Sequence, residues 1–234
     1  MSERELRELV AAACRILQNE GQEHFNLGHV SARESGAERI IVKPSGLGLG
    51  EIRPEDLVVA DFNGRKLAGE RPLHSEMPIH LEIYRRRPEV ACVVHTHAIY
   101  AAALSATTAG FQMVSQDSVL FSNGIGYYGS ALLIVTPEQG RAMAESLGDY
   151  HAVLLKNHGI AVVGRTVQEA TVRAVAFDRS ARLQLAASQL GPLSPIQPNE
   201  AQEMGAGFER SVARTLGIWE YLLRKADRNG PARV

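Results

Sequence analysis

Val90-Ala91-Cys92-Val93-Val94-His95-Thr96-His97 is the stretch on which the fold turns. Its apolar half, rich in β-branched residues, reads as a buried strand. In a strand, residues two apart point to the same side, so the imidazoles of His95 and His97 can converge on one ion.

Outward from this strand, helical and extended patterns alternate. Downstream, Ala98–Ala106 reads as a small-residue helix and Ala131–Val135 as a second buried strand. Thr136-Pro137-Glu138-Gln139 then opens a helix with its N-cap, N1 proline and N3 glutamine in place. Residues 151–156 and 160–163 read as strands separated by Asn157-His158-Gly159, and Thr166 with Glu169 caps a helix to about Leu190. A proline-rich connector, 191–199, leads to one last helix over 200–227, whose Trp219 and Tyr221, like the small-residue helix, offer apolar surface beyond what one domain needs to bury. Upstream, 75–86 is helical and stops before Pro88, and Asn63-Gly64 joins a hairpin of 57–61 and 65–67. Residues 44–50 are too glycine-rich for regular structure, and 25–33 and 39–43 read as strands about the Ser35-Gly36 turn. Ser2 and Glu5 form a capping box for a first helix over 3–20, with Gly21 as its stop. This alternation implies an α/β architecture, with 1–190 as one domain and 191–234 as connector and C-terminal helix.

The 234 residues are 45% hydrophobic and 22% charged, enough for one sizeable core. With 25 Lys+Arg against 26 Asp+Glu, the balance gives no electrostatic case for nucleic acid or an anionic membrane. No apolar run approaches the roughly 18–20 residues of a membrane span, and the charged, helical N-terminus does not read as a secretory signal. Cys14 and Cys92, far apart in apolar stretches, read as reduced thiols in a cytoplasmic protein.

Two further groups extend the histidine pair. His158 lies in a turn before Gly159, and Glu76 begins a helix after Pro72-Leu73-His74-Ser75. Three imidazoles and a carboxylate match the ligands of catalytic zinc, and such a site also accepts Mn, Fe or Co. Each residue has a plainer reading: His-x-His pairs occur in strands without metal, a turn histidine bonds the backbone, and a glutamate favours a helix N-terminus. Spacing alone does not bring the four together.

The ordered motifs do more. Leu73–Glu76, Arg87-Pro88-Glu89-Val90 running into His95-Thr96-His97, and Lys156-Asn157-His158-Gly159 resemble the class II aldolase/adducin-head family. Asn26–Arg33, Lys43-Pro44-Ser45-Gly46 and Pro54-Glu55-Asp56-Leu57-Val58 extend the resemblance over about residues 5–190. It implies a three-layer α/β/α sandwich around a largely antiparallel sheet. It also implies a homotetramer with active sites near subunit interfaces, and one divalent metal ion per subunit. By position, His95, His97 and His158 would be the metal ligands. Glu76 would be an acid/base that can also ligate.

Within the family, fuculose-phosphate-type aldolases cradle phosphate with an Asn, a Thr/Ser-Gly loop and a Ser-Ser pair. Here Ser45-Gly46 and Ser75 remain, whereas His29 stands at the Asn position and His74 at the first serine. The tyrosine that aldolases use as proton donor aligns near Ile125, with Tyr127 and Tyr128 displaced. Imidazoles at His29 and His74 suit a carboxylate or a phenol, as in the decarboxylase branch. His80 reads as a supporting residue on the Glu76 helix, and His24 and His151 as surface or core residues. The expected function is a metal-dependent decarboxylase of an ortho-hydroxylated aromatic carboxylate such as 3,4-dihydroxyphthalate, with Glu76 or His74 as proton donor. His29, Ser45, Gly46 and Ser75 would contact this small-molecule substrate. The alternatives are a sugar-phosphate aldolase or dehydratase, and a non-enzymatic interaction module of the adducin-head type.

Overall fold

The computed structural model describes residues 1–33 and 37–229. The Ser35-Gly36 turn lies outside them. Seven helices and eight strands follow in the order α1 (Glu3–Asn19), β1 (His29–Ala32), β2 (Arg39–Val42), β3 (Val58–Asp61), β4 (Lys66–Ala68), α2 (Met77–Arg86), β5 (Cys92–Thr96), α3 (Ile99–Ser105), β6 (Gly126–Tyr128), α4 (Pro137–Leu147), β7 (Ala152–Leu155), β8 (Gly159–Gly164), α5 (Val167–Ser188), α6 (Pro198–Glu209) and α7 (Val212–Asn229). One sheet of order β4-β3-β2-β1-β5-β8-β7-β6 holds all the strands. Every pairing is antiparallel except β6 with β7, as expected for the sandwich.

Period-2 burial divides the sheet between two cores. Cys92, Val94, Ile160 and Val162 pack toward α1, α5 and α7, whereas Val93, Ala161 and Val163 pack toward α2 and α4. The strand β1 follows the same alternation with a difference. Val30 and Ala32 join the first core, but the residues facing α2 are His29 and Ser31. Buried polar groups there must find partners, and α2 supplies His80 and Tyr84.

The helix caps follow the sequence signals. Ser2 and Glu5 close a capping box on α1, Thr136 and Gln139 close one on α4, and the Thr166 hydroxyl accepts from the Glu169 N–H. At the start of α3, Asp178 of α5 accepts from the N–H groups of Tyr100 and Ala101, both at 3.0 Å. Cys14 and Cys92 are buried free thiols, and burial pushes the Cys14 thiol up to about 12. No helix among the described residues is long and apolar enough to cross a membrane.

Four expectations need correction. Residues 131–135 are not a strand: Leu132, Leu133 and Val135 are exposed, and the Ile134 N–H donates to Glu76 instead of to a sheet neighbour. The parallel partner of β7 is β6, a few residues earlier. Residues 25–28 form a turn rather than the start of β1, with Phe25 and Gly28 at φ 52° and 77°. The last helix is two, broken at Arg210-Ser211.

The fourth correction concerns α7. Of the two residues of this helix that the sequence offers as apolar surface for a neighbouring subunit, Tyr221 is exposed, whereas Trp219, with Leu222 and Ala226, is buried in the core of its own chain against α1 and α5. Trp219→Ala should therefore lower stability by about 3–5 kcal/mol, the usual cost of truncating a buried tryptophan. Urea unfolding measures it, and an unchanged midpoint would show that α7 is not integral to the fold.

Candidate metal centre

Three central strands and the turn before β8 assemble the site. Register places His29 opposite His95 and His95 opposite Ala161. Between the two ligand positions, Thr96 points to the other core, where its hydroxyl donates to Gln22 Oε1 at 2.9 Å and Gln22 Nε2 donates to the Ala174 carbonyl at 2.8 Å. This anchor fixes the end of β5, and with it the direction in which His95 and His97 leave the sheet.

Gly159 brings the start of β8 close to the end of β5. A Cβ there would stand 2.3 Å from the Thr96 carbonyl oxygen, so only glycine allows the start of β8 to lie against the end of β5. Asn157, at φ 54°, completes the tight turn that swings His158 back over His97.

The result is a convergence of nitrogens. His97 Nε2 lies 3.1 Å from His95 Nε2 and 3.0 Å from His158 Nε2. Glu76 Oε2 lies 3.8 Å from His95 Nε2 and 3.7 Å from His158 Nε2. One ligand atom from each of Glu76, His95, His97 and His158 falls within 4.8 Å of every other. The edge of a tetrahedron around an ion with bonds of about 2.0–2.1 Å is about 3.3–3.4 Å, comparable to these separations.

The donor chemistry fits a cation. His95 Nδ1 lies 3.0 Å from the Ile160 carbonyl, which can only accept, so the proton sits on Nδ1 and Nε2 carries the lone pair. Burial pushes His95 far below the usual imidazole range, His97 to about 4, and His158 downward. Neutral imidazoles are what a metal requires. Without a cation, three such nitrogens facing one another cannot all be hydrogen-bonded, and His158 Nδ1 is itself buried without a partner. Glu76 divides its oxygens: Oε1 accepts from the Ile134 N–H at 3.1 Å, leaving Oε2 for the histidines. Burial raises its pKa, opposed by that hydrogen bond.

Around the quartet sit the remaining residues expected from the sequence. His29 and His74 lie side by side with ring centroids 4.4 Å apart and planes tilted by 47°, and His29 lies 4.8 Å from His95 by the same measure. His74 Nε2 donates to the Pro44 carbonyl at 2.9 Å, and the Ser45 N–H donates to the Pro72 carbonyl at 3.0 Å, joining the Ser45-Gly46 loop to the segment before Glu76. Burial and the nearby Lys43 ammonium push His74 down to about 4. Ser75 is exposed at the rim. Tyr127, displaced from the aldolase position, accepts the Phe111 N–H on its hydroxyl at 2.8 Å.

Sequence reasoning missed four participants. His24, read as surface or core, places Nδ1 3.0 Å from His97 Nδ1. Lys43, fully buried, donates to the carbonyls of Asn26 and Pro44. Ser31 bonds His80 behind His29, and the Tyr84 hydroxyl bonds Ser31. The i, i+4 spacing of His80 and Tyr84 on one face of α2 was the available signal for the last of these.

The chain belongs to the class II aldolase and adducin family, whose model, the Class II Aldolase and Adducin N-terminal domain, matches residues 8–185. It is 35% identical over 210 residues to the Meiotically up-regulated gene 14 protein of Schizosaccharomyces pombe, covering 87% of this chain and 82% of the relative. It is 33% identical over 224 residues to 3,4-dihydroxyphthalate decarboxylase of a Terrabacter species, covering 88% and 93%. The L-fuculose 1-phosphate aldolase of Glaciozyma antarctica superposes with a TM-score of 0.84 at 25% identity, over 94% of this chain and 89% of that one.

Metal content tests the site. Protein purified without chelator should carry close to one divalent ion per chain by elemental analysis. His97→Ala and Gly159→Ala should each lose most of it, the second because a Cβ at Gly159 drives β8 and His158 away from β5. Full occupancy in both variants would mean that the ion binds elsewhere.

Proposed function

We propose that this protein is a divalent-metal-dependent lyase that decarboxylates an ortho-hydroxylated aromatic carboxylate such as 3,4-dihydroxyphthalate. The observation that carries this reading is the adjacent pair of imidazoles, His29 and His74, at positions where aldolases of the family hold phosphate with smaller polar side chains. The resemblance to 3,4-dihydroxyphthalate decarboxylase points the same way.

His95, His97 and His158 would hold the ion, with Glu76 Oε2 able to ligate it only while no substrate oxygen takes that place, zinc being the first candidate and Mn, Co or Fe alternatives. When bound, it would supply Lewis acidity toward substrate oxygens beside the reacting carbon. Glu76 is the proton donor in this reading. Its raised pKa favours holding a proton at Oε2, whereas the only proton of neutral His74 is committed to the Pro44 carbonyl. Transfer from Oε2 forms a bond to the ring carbon; the carbon–carboxylate bond then breaks, its electron pair returns to the ring, and carbon dioxide leaves. His29 and His74 orient the planar acid over Glu76, with the Ser45-Gly46 loop and Ser75 closing one side.

Carbon dioxide release decides between readings. The wild type should release it from a hydroxylated phthalate, and His74→Ala should slow turnover about 2- to 12-fold, the worth of one neutral hydrogen bond accepted from a substrate hydroxyl. Metal content should be unchanged, and His74→Ser should not restore the rate. Cleavage of ketose 1-phosphates without carbon dioxide release would establish an aldolase instead.

We further propose a homotetramer, with the C-terminal region of one subunit reaching its neighbour's site. The exposed side chains of Ile99, Leu132 and Leu133, two of them within the three residues before Ile134, support it. Light scattering at micromolar concentration should give four times the chain mass, and a monomer would reject the assembly.

A further inference from the structure

Behind His29, β1 and α2 enclose a chain of hydroxyl and imidazole groups, flanked by the Arg33 guanidinium, which lies 5.0 Å from the centroid of the Tyr84 ring and donates to backbone carbonyls rather than to the chain itself. The Tyr84 hydroxyl lies 3.0 Å from the Ser31 carbonyl oxygen and 2.8 Å from Ser31 Oγ. Ser31 Oγ lies 2.7 Å from His80 Nδ1, and His80 Nε2 lies 2.6 Å from His29 Nδ1. All four side chains are buried, and both imidazoles lack a nearby acid, so both are neutral.

Counting protons gives this chain a direction. Each of the four groups carries one proton, and the Ser31 carbonyl can only accept. In one arrangement Tyr84 donates to the Ser31 carbonyl, Ser31 Oγ to the Tyr84 oxygen, His80 Nδ1 to Ser31 Oγ, and His29 Nδ1 to His80 Nε2. Every contact is then a bond. In the reverse arrangement Ser31 Oγ donates to His80 Nδ1 and His80 Nε2 to His29 Nδ1. The single Tyr84 proton must then serve either the carbonyl or Ser31 Oγ, so one buried contact goes unmade. The His29 proton is also displaced to Nε2, which has no acceptor among the described residues. One hydrogen bond is worth roughly tenfold in an equilibrium of this kind.

We propose that the Tyr84–Ser31–His80 relay fixes His29 as the Nδ1–H tautomer, so that its Nε2 meets the substrate as a hydrogen-bond acceptor and selects for a hydroxyl. Tyr84, Ser31 and His80 are positioning residues that act through His29. The substrate half of this inference rests on the proposed function; the relay half does not. An acceptor at this position opposes a phosphate or bare carboxylate oxygen, which would bring a second lone pair to Nε2, and welcomes the phenolic O–H of an ortho-hydroxylated acid. The asparagine that aldolases of the family carry here can donate through its amide, so histidine inverts the polarity of the position.

The test uses zinc-loaded protein with ¹⁵N-labelled histidine. Long-range proton–nitrogen correlation, with His29 assigned by loss of its signals in His29→Gln, should show Nδ1 protonated and Nε2 bare in the wild type. A protonated Nε2 overturns the proposal. Tyr84→Phe removes the acceptor for the Ser31 hydroxyl and frees it to turn toward His80, so the tautomer ratio should move by about tenfold or more toward Nε2–H. An unchanged ratio would show that the relay does not set it. Ser31→Ala, which breaks the relay between Tyr84 and His80 by the same loss of one hydroxyl oxygen, serves if Tyr84→Phe does not fold. Calorimetry should find 3,4-dihydroxyphthalate bound at least about tenfold more tightly than phthalate by the wild type, with the gap narrowed in Tyr84→Phe. Equal affinities overturn selection by His29. Absence of carbon dioxide release with the Nδ1–H tautomer intact counts against the decarboxylase reading alone.

Discussion

The antiparallel register of β1, β5 and β8 is the constraint on which the rest of the site depends. It sets His29 opposite His95, and His95 opposite Ala161, on the face of the sheet that α2 covers. Because side chains alternate along a strand, a slip of one residue would send His95 into the opposite core and bring Thr96 into its place. Register is held in turn by the apolar alternation of the same strands. Cys92 and Val94 must face α1 and α5 while Val93 faces α2, so the residues that stabilise the fold also fix where the histidines of the candidate site fall.

This arrangement concentrates polar groups where a sheet–helix layer is normally apolar. On one face of β1 and α2, His29, Ser31, His80 and Tyr84 replace aliphatic packing with hydrogen bonds. Such a network is tolerable only when each group is satisfied, because an unpaired polar group in a dry interior is costly. The satisfaction here is nearly complete up to His29 Nε2, and the chain ends where substrate would begin. The quartet beside it behaves differently: its nitrogens converge on one point and leave each other unsatisfied, as ligands to a cation do.

Much of this was legible in the sequence because the signals were local. The caps at Ser2, Thr136 and Thr166, the Asn63-Gly64 hairpin and the period-2 strands all found their places. His95 and His97 were readable from strand geometry, and the ordered motifs joined them to His158 and Glu76. What escaped depended on tertiary partners. Ala131–Val135 has the composition of a strand, but the Glu76 carboxylate, distant in sequence, claims the Ile134 N–H. His24 sits in a turn shaped by the positive φ of Phe25 and Gly28, which no periodicity marks, and so its approach to His97 was invisible. Trp219 looked like a surface anchor because amphipathicity shows that a helix face is covered without showing by what.

The division of labour within Glu76 ties the interior of the molecule to its perimeter. One oxygen is held by the Ile134 N–H, in a segment without regular secondary structure. On either side of that buried isoleucine, Leu133 and Val135 lie open to solvent. A short piece of chain thus has its outer side chains at the boundary of the protein and its amide on the carboxylate at the centre. Whatever covers those two side chains acts on the orientation of Glu76 through three consecutive peptide units, with no rearrangement of the sheet. The carboxylate is in this sense a lever, its handle on the surface and its fulcrum at Ile134.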